Sequence, residues 1–174
     1  MSELRSLIGF LSYYRAFIRN FAERIEPLNQ MLRKDVPIVA TEARLNAFHD
    51  LKAALINAPI LAIYRGEGEI VVDVDTSCHS NGAICQQYQD GELRVLEYAS
   101  KCLSPSERQL CAYRRELNGL IFALKKFRPY LLGRKFTVRI DNLALQHVLT
   151  TKQPTAQLSR YLDFIADFNF ILEH

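Results

Sequence analysis

Three carboxylates have the residue type and spacing of a site for divalent cations. Asp75 follows the apolar run Ile70–Val74, Asp141 follows the alternating run Phe136–Ile140, and Glu116 lies at the edge of an amphipathic stripe. If a helix carries Glu116 across the sheet, the acids converge, and their mutual repulsion must then be neutralised by cations. Oxygen-only ligands favour Mg²⁺ or Mn²⁺. Two such ions roughly 4 Å apart can activate a water and stabilise a leaving oxygen during phosphodiester hydrolysis.

Each of these acids also has an ordinary structural explanation. Asp75 can form a turn by bonding to its own backbone, Glu116 can be an exposed helix charge, and Asp141 can cap a helix N-terminus. Residue types and spacing alone leave both interpretations open.

The elements that must position these acids begin with a strand whose side chains alternate between two faces. Val72 and Val74 lie on one face, and Asp73 and Asp75 on the other. Asp90-Gly91 predicts a two-residue hairpin turn, because both positions favour positive φ. Further strands are predicted at 135–141 and 168–171, which makes a sheet that starts as a meander.

Helices are predicted on both sides of these strands. Residues 3–34 have helical periodicity with a second piece starting at Pro27, and Thr41 is the expected N-cap of the next helix. Ser104 to Glu107 form a capping box with proline at the first helical position, so a helix carrying Glu116 is expected from there to Pro129. A short helix is predicted at 143–149 and a longer one after Pro154. A boundary between the helical N-terminal region and the strands is predicted near residues 58–68.

The composition is that of an ordinary globular protein, with 174 residues, 49% hydrophobic and 24% charged. A net charge of +3 is weak evidence for nucleic acid. No apolar run reaches the roughly 18 residues of a membrane span, and we expect no secretory signal and no membrane association. The cysteines, which lack metal-ligand spacing, are expected to be reduced thiols in an intracellular protein: Cys78, Cys85, Cys102 and Cys111.

Several long motifs, in matching order and spacing, resemble the RNase H domain in reverse transcriptases of gypsy-class LTR retrotransposons. These motifs are Asp75–Ser77, Gly82–Gln87, Glu97–Lys101, Leu103–Glu107, Glu116–Leu117, Ala123–Phe136 and Asp141–Leu145. The stretches Leu4–Ile18 and Ala47–Pro59 resemble the helical segment that links polymerase and RNase H in those polyproteins.

The resemblance implies an α/β fold: an RNase H-like mixed five-stranded sheet with packed helices, preceded by an N-terminal helical segment. The first and fourth strands would be central, with the Glu-bearing helix packed on them. Residues 1–62 would be the helical connector and 63–174 the RNase H-like domain. The family's fourth carboxylate lies on a further helix, and the chain is expected to stop before it, near Leu172–His174.

The resemblance also implies the activity, a metal-dependent ribonuclease H that hydrolyses RNA in RNA/DNA hybrids. Asp75, Glu116 and Asp141 would be the catalytic residues and the ligands of two Mg²⁺ or Mn²⁺ ions. The expected partners are the hybrid and the polymerase portion of the same polyprotein, in a cytoplasmic retroelement particle or in the nucleus.

Substrate contacts are expected in two places. Ser77, Asn81 and Gly82 are placed to read the 2′-hydroxyl and the shape of the hybrid. Arg134 and Lys135 belong to a basic-aromatic patch around residues 125–135 that suits a phosphate backbone, although cations near a helix C-terminus also favour the helix dipole without any ligand.

Two other functions remain open. One is a retroelement-derived domain that has lost cleavage and acts as a binding or architectural module. The other is an integrase or resolvase of the same fold, which the motifs between the acids disfavour. Retention of three mutually repulsive acids favours the nuclease.

Overall fold

The chain forms a helical N-terminal segment followed by a mixed five-stranded sheet in the computed structural model, which describes residues 2–59, 61–141 and 155–174. The helix predicted at 143–149 lies outside the described residues. None of the helices within the described ranges is long and apolar enough to cross a membrane.

The N-terminal segment contains three α-helices, α1 (Ser2–Tyr13), α2 (Phe21–Asn29) and α3 (Glu42–Ile56). Thr41 is the N-cap of α3, as predicted, although its side chain makes no capping hydrogen bond. The prediction that Pro27 begins a new helix was wrong, because Pro27 lies inside α2. The helical structure is interrupted earlier, at Asn20, which precedes α2 and has a left-handed φ of 53°. Asparagine tolerates this conformation better than most residues, so the turn can form there.

The sheet consists of β1 (Ile70–Thr76), β2 (Ser80–Gln89), β3 (Glu92–Cys102), β4 (Lys135–Ile140) and β5 (Asn169–Glu173). Its strand order is β3-β2-β1-β4-β5, which confirms the mixed sheet with β1 central and β4 beside it. The first three strands are antiparallel neighbours, whereas β1, β4 and β5 run parallel. Asp90 and Gly91 have φ of 55° and 82°, which confirms the hairpin turn.

Within the described residues after the meander, the helices are α4 (Pro105–Arg108), α5 (Ala112–Lys126), α6 (Arg128–Leu131) and α7 (Ala156–Ala166). Ser104 and Glu107 make the predicted capping box. The single long helix expected from there was wrong, since α4 lasts one turn and α5 restarts after Cys111, whose backbone is extended. The Cys111 carbonyl accepts hydrogen bonds from the N–H groups of Arg114 and Arg115, which begins α5 without a side-chain cap. No glycine or proline marks this break in the sequence.

Two hydrophobic clusters organise the chain. The N-terminal cluster is built from residues between Ile8 and Leu51, and the larger cluster lies between the sheet and the helices, from Ile70 to Phe168. Ala62 and Tyr64 already pack against the larger cluster. The limits 1–62 and 63–174 for two domains stay a prediction.

Helix α5 packs closely on β1 because it has a glycine at the contact. A Cβ atom at Gly119 would lie 2.2 Å from Thr76 Oγ1 and 3.3 Å from Val74 Cγ1. Val72 and Val74 lie in the core beneath α5, while Asp73 and Asp75 line a groove with residues of other elements. The predicted alternation of β1 is therefore confirmed.

We expect the α4 capping box to make stability fall in acid. The Lys101 side chain, with a further contribution from Ser104, lowers the pKa of Glu107 from 4.5 to about 2. A carboxylate with a depressed folded pKa stabilises the protein above its unfolded pKa, and this contribution is lost as the pH falls from about 4.5 towards 2. Glu107→Gln should therefore lower the unfolding midpoint at pH 7 and have little effect near pH 2. An equal loss at both pH values, measured by thermal unfolding, would contradict this assignment.

Candidate active site

Two of the three predicted acids lie at the same edge of the sheet. Because β1 and β4 are parallel with Val74 opposite Ile140, the following residues, Asp75 and Asp141, leave neighbouring strands side by side. Both acids are exposed to solvent. They line one groove of about 400 Å³ together with Asp73 and other residues of the sheet.

The third acid, Glu116, lies close enough to the other two to feel their charge. Its side chain is half-buried, and the pKa of Glu116 is raised first by this burial, next by Asp141 and then by Asp75, while Arg115 opposes the shift. Turn formation or an exposed helix charge would leave such acids independent. The structure therefore brings the three predicted acids into one electrostatic neighbourhood.

This neighbourhood is not a preassembled metal centre. Among residues 2–59, 61–141 and 155–174, no group of three or more His, Cys, Asp or Glu side chains is placed to hold a metal ion. The donor set nevertheless fits a hard cation, because it consists of carboxylate oxygens, and a cation would offset both the burial and the repulsion by Asp141 and Asp75 that raise the pKa of Glu116. Metal binding by Asp75, Glu116 and Asp141 stays a prediction.

A residue of the N-terminal segment contacts the first acid. Asn20 Nδ2 donates a hydrogen bond to Asp75 Oδ2 at 3.3 Å. Asn20 and Arg19 line the same groove as Asp75. Neither residue was predicted from the sequence, since a contact between positions 20 and 75 leaves no local pattern.

His174 also reaches this edge of the sheet. Its Nε2 donates to the backbone carbonyl of Asp141 at 3.0 Å, and its side chain lines the groove. This bond ties the end of β5 to the residue that follows β4. His174 is therefore another groove residue to which the sequence-based prediction gave no role.

The predicted substrate-reading residues near β2 have different surroundings. The Ser77 hydroxyl accepts hydrogen bonds from the N–H groups of His79 and Ser80, at 3.1 and 2.9 Å, so it organises the turn between β1 and β2. Asn81 is buried, with 1% exposure, and its Oδ1 has no partner among the described residues. Gly82 is buried opposite Asp75 in the strand pairing. Their roles toward substrate stay predictions.

Arg134 and Lys135 are not brought to the acids. They lie at the start of β4, whereas Asp141 follows its end, so roughly 20 to 23 Å of chain at about 3.3 Å per residue separates them from Asp141. The Arg134 guanidinium lies over the Tyr64 ring at 5.4 Å from its centroid, which gives it a structural partner. A role in substrate binding would require contact far from the carboxylates.

A second, basic pocket lies beside α5 on the sheet. It has a volume of about 400 Å³ and includes Asn81, Asn118 and the lysines at positions 101, 125 and 126. Lys101 pairs with Glu107 at 2.9 Å, and Lys126 pairs with Glu97 at 2.6 Å. The basic character of residues 125 and 126 was predicted from the sequence. Lys101 and Asn118 were not, because they are brought in only by the packing of α5 on β1 and β2 and by the pairing of β3 with β2.

All four cysteines are free thiols, as expected. Cys85 is fully buried in β2, and burial raises the pKa of its thiol to about 12. This thiol is therefore protonated at neutral pH and takes no part in the site.

The chain matches known proteins of one kind along its whole length. Residues 41–138 match the model of the RNase H-like domain found in reverse transcriptase. The Retrovirus-related Pol polyprotein from transposon 412 of Drosophila melanogaster is 31% identical over 170 residues, which are 98% of this chain and 14% of that protein. The corresponding polyprotein from transposon 297 of the same organism is 32% identical over 173 residues, 99% of this chain and 16% of that protein. The chain thus spans about a sixth of these relatives or less.

The fold has a counterpart among solved structures. The foamy viral protease-reverse transcriptase in complex with an RNA/DNA hybrid superposes with a TM-score of 0.77 at 23% identity, over 99% of this chain and 24% of that one. At this identity the likeness supports the fold, which is the RNase H-like mixed sheet with packed helices. The family match over more than half of its residues shows that the chain belongs to the RNase H-like domains found in reverse transcriptases.

Proposed function

We propose that this chain is the ribonuclease H of a retrotransposon reverse transcriptase and hydrolyses the RNA strand of RNA/DNA hybrids. One observation carries the proposal: Asp75 and Asp141 lie side by side at the ends of adjacent parallel strands, and Glu116, whose pKa is raised first by burial and then by Asp141 and Asp75, lies close enough to feel both charges. Unrelated surface acids would have no physical reason to be kept so close together. The relatives, which are Pol polyproteins of transposons, support the same assignment.

The three acids would act as ligands of divalent cations rather than as proton carriers. Asp75 and Asp141 would hold one Mg²⁺ or Mn²⁺ ion, and Asp75 and Glu116 the other. Bound ions of this kind supply Lewis acidity and lower the pKa of water, which is the chemistry that phosphodiester hydrolysis needs. The fold places these ligands: adjacent parallel strands hold Asp75 and Asp141 side by side, and α5 carries Glu116 towards them.

The hybrid would bind across the acids and the basic pocket beside α5. Lys101 and Lys125 supply cationic side chains for phosphate, and Asn118 supplies an amide group that suits sugar hydroxyls. The foamy viral enzyme of the same fold was solved with an RNA/DNA hybrid, which supports this class of partner. The polymerase portion of the polyprotein is the second proposed partner, inside an intracellular retroelement particle.

The direct test is cleavage of a labelled RNA/DNA hybrid with Mg²⁺ and with Mn²⁺. The protein should be assayed as the present chain and as a version extended beyond His174 to include the expected fourth carboxylate. Cleavage of the RNA strand, with duplex DNA of the same sequence left intact, is the expected result for at least the longer protein. Binding of the hybrid without cleavage by either protein would overturn the nuclease assignment.

We expect Lys101 and Lys125 in the basic pocket to contribute to hybrid affinity through phosphate contacts. Each phosphate contact contributes roughly 0.7 to 0.9 to the slope of log affinity against log salt concentration. Lys101→Ala and Lys125→Ala should each reduce that slope by about this amount and weaken binding at low salt. Lys52→Ala, on the exposed face of α3, is the matched control and should leave the slope unchanged. Equal slopes for all four proteins in a fluorescence anisotropy titration would remove the pocket from the binding surface.

The second candidate function is a binding module without cleavage. It is favoured by one observation, the lack of a preassembled three-ligand metal group among the described residues. The same cleavage assay separates the two functions, because this module would bind hybrid with a normal salt dependence and leave the RNA intact.

A further inference from the structure

We propose that Asn20 is a positioning residue for Asp75, so that the N-terminal helical segment forms part of the active site rather than a passive connector. This inference rests on the proposed function insofar as Asp75 is a cation ligand. Asn20 belongs to neither the sheet nor α5, so its role would extend the site to a third part of the fold. The site would then depend on how the N-terminal helical segment docks on the sheet.

The contact is specific in its backbone as well as its side chain. Asn20 Nδ2 lies 3.3 Å from Asp75 Oδ2, and Asn20 has a left-handed φ of 53°. Glycine, asparagine and aspartate adopt this region at the lowest cost, and of these only asparagine brings an amide donor without adding a negative charge. Both the amide side chain and the left-handed backbone of Asn20 therefore suit a residue that donates a hydrogen bond to the Asp75 carboxylate.

Gly82 provides the space that the Asn20 side chain occupies. A Cβ atom at position 82 would lie 2.2 Å from Asn20 Oδ1. Gly82 is the strand partner of Asp75, so Asn20 is seated directly over the β1–β2 pair. The lack of a side chain at Gly82 thus has a local physical reason that does not involve substrate.

Docking of the helical segment holds the Asn20 amide in place. The N–H of Ala22 donates to Ser100 Oγ at 2.9 Å, and Ser80 Oγ donates to Glu23 Oε2 at 2.9 Å. Cys102 Sγ donates to the Ala22 carbonyl at 3.1 Å. These bonds connect the first turn of α2 to β2 and β3, immediately after Asn20. The Asn20 amide is therefore held in position by the docked helical segment and needs no bound ligand to place it.

A neutral donor on Asp75 suits a cation ligand. The hydrogen bond to Oδ2 restricts the rotation of the carboxylate and leaves Oδ1 and the remaining lone pairs for a metal ion. Because the donor is uncharged, the carboxylate keeps its full negative charge. Outer partners of this kind typically change metal affinity by about 10- to 100-fold when they are removed.

The test removes the amide in two independent ways. Asn20→Gly retains the left-handed backbone and deletes the donor, while Gly82→Ala leaves Asn20 intact and displaces its side chain. We expect each variant to weaken Mn²⁺ binding, measured by calorimetry, by roughly 10-fold. The double variant should be no weaker than either single variant, since both remove the same hydrogen bond. Met31→Ala, in the core of the helical segment, is the control for lost stability and should change Mn²⁺ affinity less than two-fold.

A metal-free measurement separates this inference from the proposed function. In a double-mutant cycle of Asn20→Gly and Asp75→Ala without metal, the effects on unfolding should be non-additive. Additive effects, or an Mn²⁺ affinity of Asn20→Gly within two-fold of the parent, would overturn the role of Asn20 whether or not the parent cleaves RNA. A parent that does not cleave would overturn the nuclease, and the metal-free cycle would still decide the contact.

Discussion

Replacement of Asp75 by asparagine is expected to reduce hybrid cleavage by about 100-fold or more, with little change in hybrid binding. Removal of an outer partner of a metal ligand already costs about 10- to 100-fold, so loss of a ligand itself should cost at least as much. Asp75 is exposed at the end of β1, and its main side-chain contact is the long hydrogen bond from Asn20. The substitution preserves volume and should leave the fold intact. The measurement is the single-turnover rate at saturating Mg²⁺.

Asp73→Asn is the matched control for this experiment. Asp73 lies on the same face of β1 two residues earlier and loses the same charge on substitution. Its carboxylate accepts a hydrogen bond from Gln86 Nε2 at 2.6 Å and lies 4.0 Å from Arg139, which identifies it as a structural residue. We expect cleavage within a few-fold of the parent. A comparable loss in both variants would mean that the groove needs negative charge in general and not the carboxylate of Asp75.

Gly119→Ala is expected to destabilise the protein by about 1 to 3 kcal/mol, the usual cost of overpacking. Alanine is the better helix former by about 1 kcal/mol, so propensity alone predicts the opposite sign. The close approach of α5 to β1 decides the outcome, because the added Cβ would lie 2.2 Å from Thr76 Oγ1. Relief would require Thr76 to leave its present χ1 rotamer, and β-branched side chains have few rotamers accessible. Chemical denaturation measures the change in the free energy of unfolding.

The same substitution should also lower cleavage, since Glu116 stands one helical turn before Gly119 and moves with α5. Adding Thr76→Ala should restore much of the stability, because Thr76 Cβ lies at an ordinary contact distance of 3.6 Å. Gly9→Ala in α1 is the matched control. It has open space around it and should stabilise the protein by roughly 0.5 to 1 kcal/mol. Stabilisation by both alanines would show that α5 is not held by contact at Gly119.

Local features of this protein were determined by the sequence itself. The capping box of Ser104 and Glu107, the hairpin at Asp90-Gly91 and the alternation of β1 each follow from residues within a few positions of one another. Such features depend on a side chain and its own backbone, so their signals survive without tertiary information. The family resemblance supplied the order of the strands, which local patterns do not contain.

The tertiary structure alone decided where helices break and which distant residues meet. The break at Asn20 lies where the helical segment docks on β2 and β3, and α5 begins after Cys111 without a side-chain cap. Pro27 and the continuous apolar stripe were therefore misleading signals of where the helices begin. The contact of Asn20 with Asp75 spans 55 positions and exists only because the helical segment docks on the sheet. Residue types determined which groups can bind a cation; packing determined that Glu116 approaches Asp75 and Asp141 from α5 and that Asn20 reaches Asp75 from outside the sheet. Those distances are set by the sum of many long-range contacts, which no local pattern encodes.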